Sequence, residues 1–209
     1  ALFAGLIAVA AYVADQKQPL PELETLQSSQ AAANAPDSKR QGFDFYVLAL
    51  SWSPSYCEMK GRNADPEQCG ARKPIGFTVH GLWPKYERGY PQNCTIGGPG
   101  GVDRAILRGI DGILPSDGLA RHEWRKHGTC SGLSQQAYFK ALTEAFAKIR
   151  IPGHYLQVDA KRSVAPKRVE SDFLAANPGM AANGFAAVCD EGYFTEVRIC
   201  MTKDLSFRP

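Results

Sequence analysis

Residues 77–84 read Phe-Thr-Val-His-Gly-Leu-Trp-Pro and are predicted to begin as a β-strand. Side chains alternate between the two faces of a strand, so the apolar residues on either side of the threonine are expected to face a core while His80 points the other way. We expect the strand to cover residues 76–80, because the glycine and the proline that follow should force a turn that carries Trp83. The pattern therefore presents His80 at a strand end, although a satisfied surface or core histidine would give the same local sequence.

The remaining elements mix strands and helices without regular alternation. Further strands are predicted at about 43–50, 184–189 and 193–201, helices at about 103–109, 118–127, 134–150 and 166–176, and a polar, loop-like stretch at 58–74. Ser116 or Asp117 would cap the second of these helices. We therefore expect an α+β fold in which a mainly antiparallel sheet packs against several helices in one disulfide-stapled domain, residues 42–209.

Residues 122–130 read His-Glu-Trp-Arg-Lys-His-Gly-Thr-Cys and fall largely in the helix predicted at 118–127. At about 100° per residue, four polar side chains form one continuous arc of that helix: His122, Glu123, Lys126 and His127. Two imidazoles, an ammonium and a carboxylate on one arc could all reach a single small anion. A solvated charged face is the alternative, but two histidines and an interleaved tryptophan are poor choices for a face that only provides solubility.

The histidine spacing disfavours zinc chemistry. In the zinc-protease motif His-Glu-x-x-His the two ligands lie about 40° apart on a helix, whereas His122 and His127 diverge by about 140°. The sequence also lacks a Gly-x-Ser-x-Gly elbow and a glycine-rich phosphate loop before a helix. The fourth histidine, His154, follows Pro-Gly in a predicted loop and is interpreted as incidental. We therefore expect neither a metal nor another cofactor.

Two histidines with a cation and a carboxylate suit phosphoryl transfer without a metal. One imidazole can take a proton from the attacking hydroxyl while the other gives a proton to the leaving oxygen. Neighbouring cations offset the charge that builds up in the transition state. Imidazole can fill either role near neutral or mildly acidic pH.

The first 41 residues are predicted to stand outside the globular domain. Residues 1–14 are apolar and uncharged, which is short for a bilayer span and has the length of an export signal's apolar region. A truncated membrane anchor is the second interpretation, and a buried core helix is the third. Residues 15–41 are predicted to be a flexible linker. The net charge of +3 is compatible with a polyanionic partner without demanding one.

An even number of cysteines behind an export-like segment favours a disulfide framework and a periplasmic or secreted location. The six are Cys57, Cys69, Cys94, Cys130, Cys189 and Cys200. Buried free thiols or a metal site are the alternatives, and the residues themselves leave the connectivity open. The absence of a Cys-x-x-Cys pair disfavours a zinc ribbon or a redox dithiol.

The two histidine segments together resemble the two catalytic segments of the ribonuclease T2 family, which are secreted endoribonucleases. The likeness covers about residues 43–208, including the opening strand and the closing residues 197–200. The resemblance implies that His127 is the general base toward the 2′-hydroxyl, that His80 is the general acid on the 5′-oxygen, and that His122 binds phosphate. It also implies that Glu123 and Lys126 stabilise the transition state.

The resemblance further implies a 2′,3′-cyclic phosphate product, followed more slowly by a 3′-phosphate, from single-stranded RNA. Trp83, with Tyr86 as a second ring, would hold bases by stacking. The cysteine positions imply the pairs Cys57–Cys69, Cys94–Cys130 and Cys189–Cys200. Where the family commonly has an acidic or amide residue that contacts a base, this chain has Lys85, so low base specificity is expected, with Lys85 attracting the RNA backbone.

Two other interpretations compete with a monomeric ribonuclease that has no stable membrane association. A catalytically silent relative, kept as an RNA-binding or storage protein, would be expected to have lost a histidine, yet both His80 and His127 are present. A histidine phosphatase, suggested by the Lys-His-Gly string, would need an arginine directly before that His-Gly. Digestion of RNA in the presence of a chelator separates the three.

Overall fold

Four strands form one antiparallel sheet in the part of the chain that the computed structural model describes, residues 42–70, 76–94, 101–156 and 164–209. The strands are β1 (Phe45–Trp52), β2 (Phe77–Lys85), β3 (Phe185–Asp190) and β4 (Tyr193–Met201). Their order across the sheet is β2-β1-β4-β3, with every neighbouring pair antiparallel. The predicted α+β class with an antiparallel sheet is confirmed.

The helices of these ranges are α1 (Ser53–Lys60), α2 (Pro66–Cys69), α3 (Arg104–Gly109), α4 (Asp117–Lys126), α5 (Gln135–Ala147) and α6 (Pro166–Ala176). Serine side chains cap two of them: Ser116 accepts from the backbone N–H of Leu119 and Ser134 from that of Ala137, both at 3.2 Å. Four helices thus occur where they are predicted, although α5 ends a turn earlier than expected.

The prediction that residues 58–74 form a loop is wrong for its described part. α1 extends through Lys60, a 3₁₀ turn follows at Gly61–Asn63, and α2 comes next. The side chain of Asp65 caps α2 by accepting from the backbone N–H of Glu67 at 2.9 Å, and a proline occupies its first turn. This stretch is polar and was therefore predicted as a loop, although it contains these helix-capping residues.

The strand β2 continues through Gly81 and Pro84, so the prediction that it ends after His80 is also wrong. Proline costs little here because β2 is an edge strand of the sheet, where a missing N–H need not break a ladder bond. Glycine costs little because the sheet is locally irregular at this position. His80 is consequently held inside a strand.

A β-bulge lies at His80. Ala49 of β1 pairs with Gly81 and the next residue, Leu50, pairs with Val79, so His80 is the additional residue on β2. Past the bulge the alternation changes phase, and the ring of His80 contacts that of Trp83 with centroids 5.1 Å apart. The bulge therefore brings His80 and Trp83 onto one face, which simple alternation would not do.

The two faces of the sheet differ in what covers them. One face packs against the helices and forms the main core, which includes Leu48, Leu50, Leu82, Val197 and Ile199 from strands and Trp124, Tyr138, Leu142 and Phe173 from helices. The opposite face carries a small cluster of Val47, Ala49 and Trp83. α4 lies against the edge strand β2, so it buries Trp124 in the core while Glu123 reaches Trp83 on the other face.

The described helices include none with the length and apolar character that crossing a membrane requires. The predicted export segment 1–14 and linker 15–41 lie outside the described residues.

Two of the three predicted disulfides are present. Cys57 pairs with Cys69, and Cys94 pairs with Cys130, which ties the segment after β2 to the 3₁₀ turn that follows α4. The predicted Cys189–Cys200 pair is wrong, because both are free thiols. Cys189 pairs with Phe194 in the β3–β4 hairpin, and the six residues from there to Cys200 span roughly 20 Å of strand, far beyond disulfide reach.

Titration of the denatured, unreduced protein should accordingly find two reactive thiols rather than none. In the native protein Cys189 should react first, because it is exposed while Cys200 is half-buried. Ellman's reagent measures both counts, and Cys189→Ser should remove the fast-reacting thiol alone. If the denatured protein had no reactive thiol, Cys189 and Cys200 would be bridged and the register of the β3–β4 hairpin would be wrong.

Candidate active site

The four residues predicted on one helical arc have different environments. Glu123 and His127 are buried, Lys126 is half-buried and His122 is exposed. His127 follows the last residue of α4 and has non-helical backbone angles (φ −121°, ψ −47°), while its N–H still donates to the carbonyl of Glu123 at 2.9 Å. Ending the helix there turns the imidazole of His127 toward Trp83, with ring centroids 5.3 Å apart.

His80 is held from β4 by Glu196. Nδ1 of His80 lies 2.6 Å from Oε2 of Glu196, and an ionised carboxylate can only accept, so Nδ1 is the donor. Burial alone would lower the pKa of His80, but the hydrogen bond to Glu196 and the charge of Glu123 outweigh it and raise that pKa above its ordinary value. The proton-carrying form of His80 is thereby favoured.

Glu123 is 1% exposed and joins the helix to the strand. Its Oε2 accepts from Nε1 of Trp83 at 2.7 Å, and its Oε1 lies 3.7 Å from Nε2 of His80. Burial raises the pKa of Glu123 to about 6 despite these partners. A Cβ on Gly81 would stand 1.9 Å from Oε2 of Glu123, so only glycine at the bulge leaves room for this carboxylate.

His127 has the opposite electrostatic setting from His80. Burial, together with the charges of Lys126 and Lys85, lowers the pKa of His127 to about 3. Its Nδ1 is buried and has no hydrogen-bond partner within the described residues. The unprotonated imidazole is therefore its form at neutral and mildly acidic pH.

Lys126 and His122 stand at the outer side of this site. The charge of Lys126 acts on His122, Glu123 and His127. Partial burial and the neighbouring cations Lys126 and Arg125 lower the pKa of His122. Lys126 and His122 are thus the two side chains of the predicted arc that are not buried.

Two further cations lie over Trp83. Nζ of Lys85 is 5.5 Å and the guanidinium carbon of Arg198 is 5.3 Å from the centre of the Trp83 ring. Nζ of Lys85 also lies 4.0 Å from the ring centre of Tyr90. Burial and the charge of Arg198 lower the pKa of Lys85 to about 8. These contacts place two cations over Trp83, beside the two histidines.

The predicted base-stacking residues are placed differently from expectation. Tyr86 is 5% exposed and belongs to the main core, because the chain leaves β2 at this point and turns its ring inward. Trp83 is 7% exposed between His80, His127 and the two cations. Tyr86 is therefore too buried to stack on a base. The rings of His80 and His127 both contact Trp83.

Three residues of this neighbourhood were missed by sequence reasoning: Glu196, Arg198 and Tyr90. The only signal for the first two was a charged pair inside an otherwise apolar strand. Tyr90 is 41% exposed and lies close to Lys85, so it is an aromatic ring that solvent can reach.

Among the described residues, no group of three or more His, Cys, Asp or Glu side chains is arranged to hold a metal ion. A groove of about 700 Å³ lies elsewhere, between α3 and α5, with Ile106, Ile110 and Phe139 in its lining. None of the histidine-site residues lines it, so the groove is not where the acid–base groups converge.

The sheet and α4 thus bring His80 and His127 against Trp83, with the buried Glu123 beside them. Residues 43–208 match the model of the Ribonuclease T2 family. The chain therefore belongs to this family and is an endoribonuclease by class.

The chain is similar to other ribonucleases in sequence. It is 39% identical over 168 residues to a ribonuclease of Aeromonas hydrophila, which covers 78% of this chain and 73% of that protein. It is 33% identical over 128 residues to a probable ribonuclease of Haemophilus influenzae, covering 56% of this chain and 47% of the relative. The chain thus spans about half the length of the second relative.

Solved structures share the fold. Ribonuclease MC1 from bitter gourd seeds superposes with a TM-score of 0.56 at 24% identity, covering 79% of this chain and 92% of that chain. RNase NT in complex with 5′-AMP gives a TM-score of 0.52 at 22% identity, covering 80% of this chain and 89% of that chain.

Proposed function

We propose that this chain cleaves single-stranded RNA by transphosphorylation without a metal, using His127 as general base and His80 as general acid. One observation carries the proposal: the rings of His80 and His127 both contact Trp83, and their surroundings shift their pKa values in opposite directions. The environment raises the pKa of His80 and lowers that of His127 to about 3. Titratable groups whose surroundings separate their pKa values in this way are the usual mark of an acid–base pair.

In the first step His127 takes the proton of the ribose 2′-hydroxyl, and the 2′-oxygen attacks the neighbouring phosphorus. The bond from phosphorus to the 5′-oxygen breaks, and that oxygen takes a proton from His80. A 2′,3′-cyclic phosphate and a free 5′-hydroxyl result. In the slower second step the roles reverse: His80 takes a proton from water, and the water oxygen attacks the phosphorus. The bond from phosphorus to the 2′-oxygen breaks, that oxygen takes a proton from His127, and a 3′-phosphate results.

The low pKa of His127 suits a general base, which must be unprotonated before the substrate binds. A bound phosphate brings negative charge beside the imidazole, which favours its protonated form and raises its basicity during the reaction. Lys126 and His122 would hold the same phosphate, and Lys126 and Glu123 would stabilise the charge of the transition state.

We propose low base specificity because Lys85 and Arg198, the cations that lie over Trp83, suit contacts with phosphates, which carry no sequence information. Lys85 can attract the backbone of the RNA. Tyr90, which replaces Tyr86 in this role, offers an exposed ring that any base can stack upon. We also propose that the protein is a monomer and that it is exported to the periplasm or secreted.

Digestion of a single-stranded RNA in excess chelator tests this function. We expect unchanged rates, short-lived fragments with 2′,3′-cyclic phosphate ends, and later 3′-phosphates, measured by mass spectrometry. Loss of activity with chelator that is restored by Zn²⁺ or Mg²⁺ would exclude the mechanism. Binding of RNA without any cleavage would instead identify a catalytically silent relative.

A further inference from the structure

Glu196 is a buried carboxylate with a partner on each oxygen. It lies on β4 and is 6% exposed. Its Oε2 meets Nδ1 of His80 at 2.6 Å, and its Oε1 accepts from Nε of Arg198 at 2.7 Å. Burial opposes ionisation, but the bonds from His80 and Arg198 hold the pKa of Glu196 below its ordinary value. The side chain is thus a fixed negative charge.

The contact between Glu196 and His80 crosses a strand. Glu196 pairs with Ser51 of β1, and His80 is on β2, the strand on the other side of β1. Two strand spacings amount to about 10 Å, and the two side chains close this gap across β1. The β-bulge orients the side chain of His80 toward Glu196, because His80 is the additional residue of the bulge. A long-range contact that depends on a bulge is a specific feature of this sheet.

We propose that Glu196 is a positioning residue for His80: it fixes the proton on Nδ1 and directs Nε2, in its protonated form, at the leaving 5′-oxygen. The inference rests on the proposed function. Nε2 is the ring nitrogen that does not bind Glu196, and it lies 3.7 Å from Oε1 of Glu123. Arg198 contributes by holding Glu196 from the other side while its guanidinium lies over Trp83.

The charged and titratable groups that act on His80 come from two elements. They are Glu196 and Arg198 on β4, and His122, Glu123 and His127 on α4 and its C-terminal cap. The carboxylates favour the protonated imidazole while burial and Arg198 oppose it. Removing the charge of Glu196 therefore shifts this balance toward neutral His80.

A merely structural role for Glu196 is the competing explanation, in which it only neutralises Arg198. The two roles differ in what they do to the leaving group. A positioning residue matters when the leaving oxygen needs a proton, whereas a structural residue affects all substrates alike.

The test compares Glu196→Gln with wild-type protein on two substrates. A dinucleoside phosphate needs a proton on its leaving oxygen, and uridine 3′-(4-nitrophenyl phosphate) does not. We expect kcat for the dinucleotide to fall at least about 10-fold and kcat for the nitrophenyl ester to change less than about 3-fold, since general acid catalysis contributes about 10²- to 10⁴-fold. Equal losses on both substrates, or no loss, overturn the proposal.

The pH profile gives the second readout. Activity requires protonated His80 and is lost as pH rises through its pKa. Without the carboxylate that pKa falls, so the alkaline limb of kcat should move to lower pH by about one unit or more in Glu196→Gln. Glu144→Gln is the matched control, because Glu144 pairs with Lys140 on the exposed side of α5 and should leave the limb in place. An unshifted limb in Glu196→Gln overturns the proposal.

A measurement on the wild-type protein covers the case in which the variant does not fold. Imidazole ¹⁵N spectra above the pKa of His80 should show the neutral tautomer with the proton on Nδ1, and a proton on Nε2 alone overturns the proposal. Failure of the proposed function is distinguishable, because wild-type protein would then cleave neither substrate. If His80→Ala is inactive on the dinucleotide while Glu196→Gln matches wild type, only the role of Glu196 is refuted.

Discussion

Replacing His127 with alanine should lower kcat for RNA cleavage by about 10²- to 10⁴-fold. In the proposed reaction this imidazole takes the proton of the 2′-hydroxyl, and its ring centre lies 5.3 Å from that of Trp83 in surroundings that lower its pKa to about 3. The fold should persist, because the Nδ1 that is removed is a buried polar atom without a hydrogen-bond partner among the described residues. Steady-state kinetics and thermal melting measure the two effects separately.

His154→Ala is the matched control for the loss of an imidazole. His154 is bonded to Asp172 at 2.9 Å and belongs to a different cluster, so its loss should leave kcat unchanged. His122→Ala should mainly raise KM, because that residue is assigned to phosphate binding. Near-native turnover by His127→Ala would show that the base is another group.

Methylating the 2′-hydroxyl of the substrate should abolish cleavage altogether. The nucleophile of the proposed reaction is the 2′-hydroxyl of the RNA, and His127 only removes its proton. A 2′-O-methyl group has no proton to remove, so its oxygen cannot attack the phosphorus. The substrate should still bind, because the charges of Lys126 and Lys85 act on the phosphate backbone. Gel analysis of paired oligonucleotides, one methylated and one not, measures the difference.

A DNA strand with a single ribonucleotide makes the same test positional. One cut is expected, on the 3′ side of that ribonucleotide, while the all-deoxy strand stays intact. Cleavage of all-deoxy DNA would require water as the nucleophile and would overturn the assignment of His127.

Local patterns predicted most of the secondary structure. Helix α4 could be placed because Ser116 is a cap and the polar arc follows it at the period of a helix. The strand β1 followed from its run of apolar residues. β2 could not be delimited, since its extent depends on being an edge strand beside a bulge, and neither property is visible in residues 77–84 alone.

The site was predictable where its residues are neighbours in sequence and obscure where they are not. His122 to His127 could be grouped from a helical wheel. The contact of His80 with Glu196 joins residues 116 positions apart through the order of strands, which no local pattern encodes. The choice between Tyr86 and Tyr90 depends on the direction in which the chain leaves β2, and the failed Cys189–Cys200 pair depends on hairpin register.

The residues that stabilise the fold and the residues of the candidate site lie on different faces of the sheet. The apolar residues that stabilise the chain lie on the helix-covered side, whereas Lys85 and Tyr90 contribute little to this core. Substitutions at these two positions can therefore accumulate at small thermodynamic cost. Divergence among relatives should concentrate there, and substrate preference is the property that can drift most freely over evolutionary time. Gly81, Trp83 and Glu123 are the exceptions, since each is packed tightly against another group of the site, and they should resist such drift.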